Sequence, residues 1–282
     1  MGKHVCSYFP MQPMISLIGF GEAGSGFAAA AGWGSAACAF DIRSVDYGGV
    51  AGCGKLADAV GAAPLVLSLV TADAAVEVAI EAAQHLLPGA FFFDMNSVSP
   101  NSKRTAASAI EAAGGKYVDT AIMAPVKPQL MSVPLLLAGA QAADGSEALT
   151  RMGFQNVRIV GDDVGRASAI KMLRSVMYKG VEALTAECLI ACERAGVTDE
   201  VLASFGKDWS ENADYRLDRM LVHGLRRAAE MKESAATLES LGVSPKLTEG
   251  TVVWQHMLGA LSLDPPPAGL KEKLAQIVEN IR

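Results

Sequence analysis

The chain has 282 residues, 51% of them hydrophobic, 19% charged and 6% aromatic, with a formal net charge of −6. At about 150 residues per domain, this length points to two domains, and the composition excludes a disordered, collagen-like or disulfide-stapled chain. The acidic balance argues against nucleic-acid binding, which shows a basic patch or stripe, yet it leaves room for a small anionic substrate in a locally basic pocket.

Residues 1–13 carry Lys3, His4 and two prolines without an apolar run. They read as a leader or a disordered arm, not as a secretory signal. Through the next part, strand-length apolar runs alternate with alanine-rich helical stretches. The expected strands are Met14–Ile18, Ala36–Phe40, Leu65–Val70, Ala90–Asp94, Lys116–Val118, Leu135–Ala138 and Val157–Val160. Between them lie helical stretches such as Glu22–Gly32, Ala72–Leu87 and Ser102–Ala113. That alternation implies a mostly parallel sheet with helices on both faces. The longest uncharged stretch, Ala23–Phe40, has 18 residues, six of them Gly or Ser. A membrane helix needs about 20 apolar residues, so no transmembrane segment is read.

Charged side chains number 21 in residues 1–160 and 33 in the remaining 122. The denser part reads as helix throughout, which places a domain boundary near residue 160. Gly165–Ala195 shows Ile170, Leu173, Met177, Val181, Leu184 and Cys188 at three- and four-residue steps, an apolar face. Tyr215–Leu241 and Lys271–Ile281 are further helices, separated by Ser244–Pro245 and the prolines at 265–267. Cys6, Cys38, Cys53, Cys188 and Cys192 contain no C-x-x-C pair, which suits reduced thiols in a cytoplasmic protein.

The first strand runs directly into Gly19-Phe20-Gly21-Glu22-Ala23-Gly24, a G-x-G-x-x-G opening a helix. The first glycine allows the tight turn, the second the approach of a pyrophosphate, and the third close helix–strand packing. The helix N-terminus then offers N–H groups to the phosphates. Asp41 follows the second strand, 22 residues after Gly19, where a carboxylate accepts hydrogen bonds from the ribose hydroxyls and favours NAD. Arg43 and Ser44 come next and suit a 2′-phosphate, so NADP stays open beside NAD. The architecture expected is a doubly wound Rossmann-type sheet over 14–160, followed by an all-α domain over 161–282 serving substrate and dimerisation.

Lys171 lies near the start of the long helix, with Ser175, Tyr178, Lys179 and Glu182 sharing its side. Such a stripe is either a solvated face or the wall of a cleft, where a desolvated lysine works as general acid or base. Arg219, His223, Arg226 or Arg227, and Glu230 recur in the same way on Tyr215–Leu241. They make either a salt-bridged solvated face or a set in which His223 and Arg227 reach a substrate carboxylate.

Together these landmarks resemble the 3-hydroxyacid dehydrogenase family, which includes 3-hydroxyisobutyrate and phosphogluconate dehydrogenases. The resemblance covers about residues 14–195. It rests on the GFGEAG loop, on Leu69-Val70-Thr71-Ala72-Asp73 beside the cofactor, on Asp94-Met95-Asn96-Ser97-Val98-Ser99-Pro100 and on Gly165–Lys171. The string H-G-L-R-R-A-A-E-M is similar to the helical C-terminal domain of a poorly characterised branch. The resemblance implies hydride transfer between a nicotinamide and a 3-hydroxy acid, with Lys171 handling the hydroxyl proton and Ser175 and Tyr178 beside it. It implies that Asn96 and Ser97 contact substrate or nicotinamide, that Val70 and Thr71 line the cofactor, and that the chain forms a homodimer.

The chain also departs from the family. The usual asparagine four residues after the lysine is Ser175. Tyr178 stands at the position where phosphogluconate dehydrogenases carry a glutamate. The substrate loop D-A-P-V-S-G-G becomes residues 119–125, Asp-Thr-Ala-Ile-Met-Ala-Pro, without the S-G-G anion contacts. Two rivals therefore remain open. One is an imine or pyrroline-carboxylate reductase, whose relatives generally lack this lysine. The other is a non-catalytic nucleotide-sensing protein on the same fold.

Overall fold

The structure is a computed structural model that describes residues 14–281; the expected leader, with Cys6, lies outside the described residues. Two compact units make up the chain: residues 14–96 with 100–168, and residues 97–99 with 169–281.

The first unit runs β1 (Ile15–Ile18), α1 (Glu22–Ala31), β2 (Ala37–Phe40), β3 (Ala51–Gly52), α2 (Leu56–Val60), β4 (Leu65–Ser68), α3 (Ala75–Ala83) and β5 (Phe91–Asp94). It continues through α4 (Pro100–Ala112), β6 (Lys116–Ile122), α5 (Val126–Gln129), β7 (Leu135–Ala138), α6 (Ala142–Arg151) and β8 (Val157–Gly161). The strands form one sheet in the order β3-β2-β1-β4-β5-β6-β7-β8. All neighbours are parallel except β6 and β7. The order reverses between β1 and β4, the switch point beyond whose carboxyl ends doubly wound sheets bind ligands.

Both sheet faces are covered, as the continuous apolar strands implied. Successive residues point to opposite faces, so Leu17, Phe93 and Val118 join one core with Phe27 and Phe154. Their neighbours Ile18, Phe92 and Tyr117 join a second core with Val66 and Ile110. Each such buried side chain contributes about 1.5–3 kcal/mol.

Some expected strands shift for local reasons. The strand expected over Leu65–Val70 stops at Ser68 because the Val70 N–H leaves the ladder for Asn96 Oδ1, at 2.7 Å. The strand expected over Lys116–Val118 extends to Ile122, since Asp119–Ile122 pairs with Ala138–Leu135. The first compact unit runs on to Ser168, where Asp119 Oδ2 accepts hydrogen bonds from Gly165 N and from Ser168 N and Oγ. The start of the long helix is thereby tied to the sheet.

The second unit is helical, with α7 (Arg166–Ala195, entering it at Ala169), α8 (Thr198–Phe205), α9 (Lys207–Ser240), α10 (Lys246–Gly259) and α11 (Leu270–Asn280). Its core gathers Ala186, Leu189, Leu217, Met220, Leu258, Leu274 and Ile277. The apolar face read from the sequence of α7 is corrected here: Leu173, Met177 and Leu184 are 40%, 67% and 61% exposed, whereas Lys179 and Glu182 are buried. Lys179 and Glu182 turn inward because α9 and α10 supply Glu230, Arg227 and Gln255 as their partners, which compensates both buried charges. Among the described residues no helix is long and apolar enough to cross a membrane.

Candidate active site

The glycine loop connects β1 to α1 at the switch point. Gly19 has φ +91°, and a Cβ there would lie 2.5 Å from Leu69 O. A Cβ on Gly24 would lie 2.4 Å from Gly19 O, so the loop closes only with glycine at both places. Gly21 caps α1 without a side chain, and beyond it a Cβ would meet only Arg43 Nη2, at 3.4 Å. Glu22 is exposed and Ala23 half-buried at the head of the helix. A bare cradle at a helix N-terminus fits the pyrophosphate of a dinucleotide.

Asp41 sits at the end of β2 beside this loop. Its Oδ2 accepts from Phe20 N at 2.8 Å, and Oδ1 accepts from Arg43 N at 2.9 Å and Nε at 3.1 Å. Burial alone would raise its pKa; the hydrogen bonds from Arg43 and Phe20 outweigh that and hold it below the ordinary value. The Arg43 side chain is 67% exposed. Phe20 packs on Tyr47, with ring centroids 5.2 Å apart.

The loops after β4 and β5 are stitched together by Asn96. Its Oδ1 accepts from Val70 N, and its Nδ2 donates to Ser68 Oγ at 2.9 Å, while Thr71 beside them is exposed. The next residue, Ser97, accepts a 2.6 Å hydrogen bond from Lys171 Nζ. Two segments 74 residues apart, both singled out by the family resemblance, thus meet at one contact.

Below Lys171, the stripe on α7 pairs with α9. Lys179 Nζ lies 2.6 Å from Glu230 Oε2 and 3.5 Å from Ser175 Oγ, and Arg226 Nη1 lies 2.7 Å from Glu230 Oε1. Arg227, expected to reach a substrate carboxylate, holds the carboxylate of Glu182 instead, and Gln255 Nε2 donates to the same Oε2 at 2.9 Å. The solvated-face alternative does not describe Lys179, Glu182, Arg227 and Glu230, which are buried. Tyr178 is 61% exposed with the Arg174 guanidinium 4.3 Å over its ring, and His223 is half-buried on α9.

Burial opposes the charge on Glu230, but Lys179, Arg226 and Lys171 together bring its pKa down to about 2 from 4.5. Lys179 is also lowered, because burial outweighs the attraction of a carboxylate shared among several cations. Folded Glu230 binds its proton more weakly than the unfolded chain does. Its contribution to stability, about 3 kcal/mol, is thus complete above about pH 4.5 and lost as the pH falls toward 2. In urea titrations from pH 6 to 3, Glu230→Gln should flatten that decline; an unchanged slope would remove Glu230 as its source.

A second buried cluster escaped sequence reasoning. Lys103 on α4 is fully buried, with Nζ 2.5 Å from Asp94 O, 3.0 Å from Asp94 Oδ1 and 3.6 Å from Asp119 Oδ1. Tyr117 Oη donates to Asp94 Oδ2 at 2.7 Å. Burial raises Asp119 against the pull of Lys103, and burial beside Asp94 raises Tyr117. The one available signal was that Asp94 ends the apolar strand β5 and Asp119 directly follows the apolar run Tyr117-Val118 within β6.

Comparison with known proteins places these features. Residues 14–149 match the NAD binding domain of 6-phosphogluconate dehydrogenase, and residues 192–258 match a domain of unknown function, DUF1932. A conserved hypothetical protein from Sinorhizobium meliloti 1021 is 38% identical, with a TM-score of 0.71, over 98% of this chain and 99% of that one. A conserved protein of unknown function, described as structurally similar to 3-hydroxyacid dehydrogenases, is 31% identical over 88% of this chain and 98% of its own, with a TM-score of 0.66. The chain belongs to the 3-hydroxyacid dehydrogenase family. Within it, the chain falls in the branch that joins the NAD(P)-binding Rossmann domain to a DUF1932 helical domain. The 3-hydroxyisobutyrate dehydrogenase of Mycobacterium tuberculosis, solved with L-serine, shares the fold at 15% identity and a TM-score of 0.69, over 96% of this chain and 100% of that one. Membership makes this an oxidoreductase fold, and the glycine loop lies within the residues that match the NAD binding domain.

Proposed function

We propose that the protein transfers hydride between NAD(P) and the hydroxyl-bearing carbon of a small 3-hydroxy acid or related alcohol, with Lys171 as general acid and base. The observation that carries this reading is the 2.6 Å contact of Lys171 Nζ with Ser97 Oγ, one residue beyond Asn96. The nicotinamide, when bound, accepts or returns the hydride. In oxidation, neutral Lys171 takes the hydroxyl proton as the C–H bond breaks and the carbonyl forms. In reduction, the ammonium gives that proton back and stabilises the charge developing on oxygen. Ser97 orients the lysine, with Ser175 one turn further along, and Asn96 holds the Val70 loop. The exposed Met177 and Leu184 suit burial in a homodimer, which a solution mass would reveal.

The deciding experiment is a screen of 3-hydroxy acids, neutral alcohols and the matching carbonyls with NAD and NADP at several pH values, read by reduced-nicotinamide absorbance. If cofactor binds and none of them turns over, the dehydrogenase reading fails and a nucleotide-sensing role takes its place.

For the cofactor we infer a preference for NAD through Asp41. Asp41→Ala should weaken NAD about 10–100-fold, the value of one or two charged hydrogen bonds. NADP should lose less, because Arg43, released from Asp41, can then face a 2′-phosphate. Equal losses in parallel titrations would rule out the ribose assignment.

A further inference from the structure

We propose that the buried Lys103–Asp94–Asp119 cluster acts as a set of positioning residues for the Lys171–Ser97 pair. Its link to Ser97 runs through Asp94, whose Oδ1 accepts from Asn96 N at 3.0 Å, immediately before Ser97. The link to Lys171 runs through Asp119, whose Oδ2 accepts from Gly165 N at 3.0 Å, Ser168 N at 3.2 Å and Ser168 Oγ at 3.3 Å. Lys171 follows Ser168 by three residues, about 4.5 Å along a rigid helix axis. Lys103 Nζ touches both carboxylates, so one buried ammonium joins the two stretches of chain that lead to the paired side chains.

The chemistry of the cluster supports this role over simple space filling. Two carboxylates and one ammonium are buried together, an arrangement that well-packed apolar side chains would match or better in stability. What the charges add is direction. A carboxylate at the first turn of α7 meets its N–H groups and the positive end of its dipole, which sets where that helix begins. The hydrogen bonds of Asp94 and of Asp119 Oδ2, with the Lys103 ammonium 3.6 Å from Asp119 Oδ1, stiffen the segments that they join. Ser97 thus lies three residues after the cluster's Asp94, and Lys171 three residues after Ser168, which donates to the cluster's Asp119.

The test reads the lysine ammonium groups by ¹H–¹⁵N correlation, in which only hydrogen-bonded ammoniums exchange slowly enough to give a signal. The Lys171 signal is assigned from Lys171→Arg. Lys179, bonded to Glu230, serves as the internal reference. In Asp119→Asn the Lys171 signal should disappear while the Lys179 signal and cofactor binding persist. Turnover should fall about 100-fold through kcat, as expected for a misplacement of about 1 Å, with the cofactor KM within about twofold. Should Asp119→Asn not fold, Ser168→Ala removes only the hydroxyl bonds, and loss of the Lys171 signal there decides in favour. Both ammonium signals intact in a folded Asp119→Asn, or in Ser168→Ala when only that variant folds, overturn the proposal. The effect on turnover rests on the proposed role of Lys171, but the ammonium spectra do not. If Lys171→Ala keeps full activity, the dehydrogenase mechanism fails while the spectra still decide the positioning.

Discussion

With Lys171 as the proposed general acid and base, Lys171→Ala should lower kcat by about 10²–10⁴-fold, the range supplied by a positioned acid or base, and should leave the dissociation constant of the reduced cofactor nearly unchanged. The two quantities separate because Lys171 belongs to the helical unit and bonds Ser97, whereas the glycine loop and Asp41 lie in the other unit. Without the amine, an alcohol must lose its proton to water as the hydride departs, and nothing fixed neutralises the oxygen. The pH dependence should change in a matching way. Under the proposed mechanism, wild-type oxidation should rise with pH, wild-type reduction should fall, and the variant should lose both limbs. Steady-state rates in both directions, with a substrate found by the screen, make the comparison. Wild-type kcat in Lys171→Ala would end the lysine mechanism, whatever the cofactor affinity.

What could be read from the sequence was local. Gly19, Gly21, Gly24 and Asp41 are legible because a strand, a turn and a helix within 25 residues impose their own spacing, and the fold sets them as that spacing requires. The helical unit was less legible, since periodicity shows which residues share a face but not which face meets a neighbour. On α7, hydropathy selected Leu173, Met177 and Leu184 for the inside, yet Lys179 and Glu182 are buried. Their burial depends on Glu230 and Arg227, 51 and 45 residues away, and no window on α7 contains those partners. Lys103 was hidden in the same way. Within Ser102-Lys103-Arg104 it has the look of a solvated lysine, and only the sheet brings Asp94 and Asp119 to it. Asn96 and Ser97 were found through the family string, but the bond of Asn96 to Val70 is a property of adjacent strand ends.

Arg227→Met should destabilise the protein by about 3–5 kcal/mol, the cost of leaving a buried carboxylate without its counter-charge. Glu182 and Arg227 each keep only 10% of their side-chain surface exposed. Glu182 Oε2 also receives Gln255 Nε2, so α7, α9 and α10 converge on one oxygen. Gln255 cannot replace the guanidinium, because a neutral amide offers one hydrogen bond and no compensating charge. The double variant Glu182→Gln, Arg227→Met removes both charges, keeps an acceptor for Gln255 Nε2 and should recover most of the loss, since a buried ion pair offsets its own desolvation poorly. Urea unfolding of both variants at pH 7 makes the comparison, and equal m-values would show that the unfolded states match. If Arg227→Met costs less than about 1 kcal/mol, or the double variant is no better than the single one, apolar packing and not charge compensation holds the three helices together.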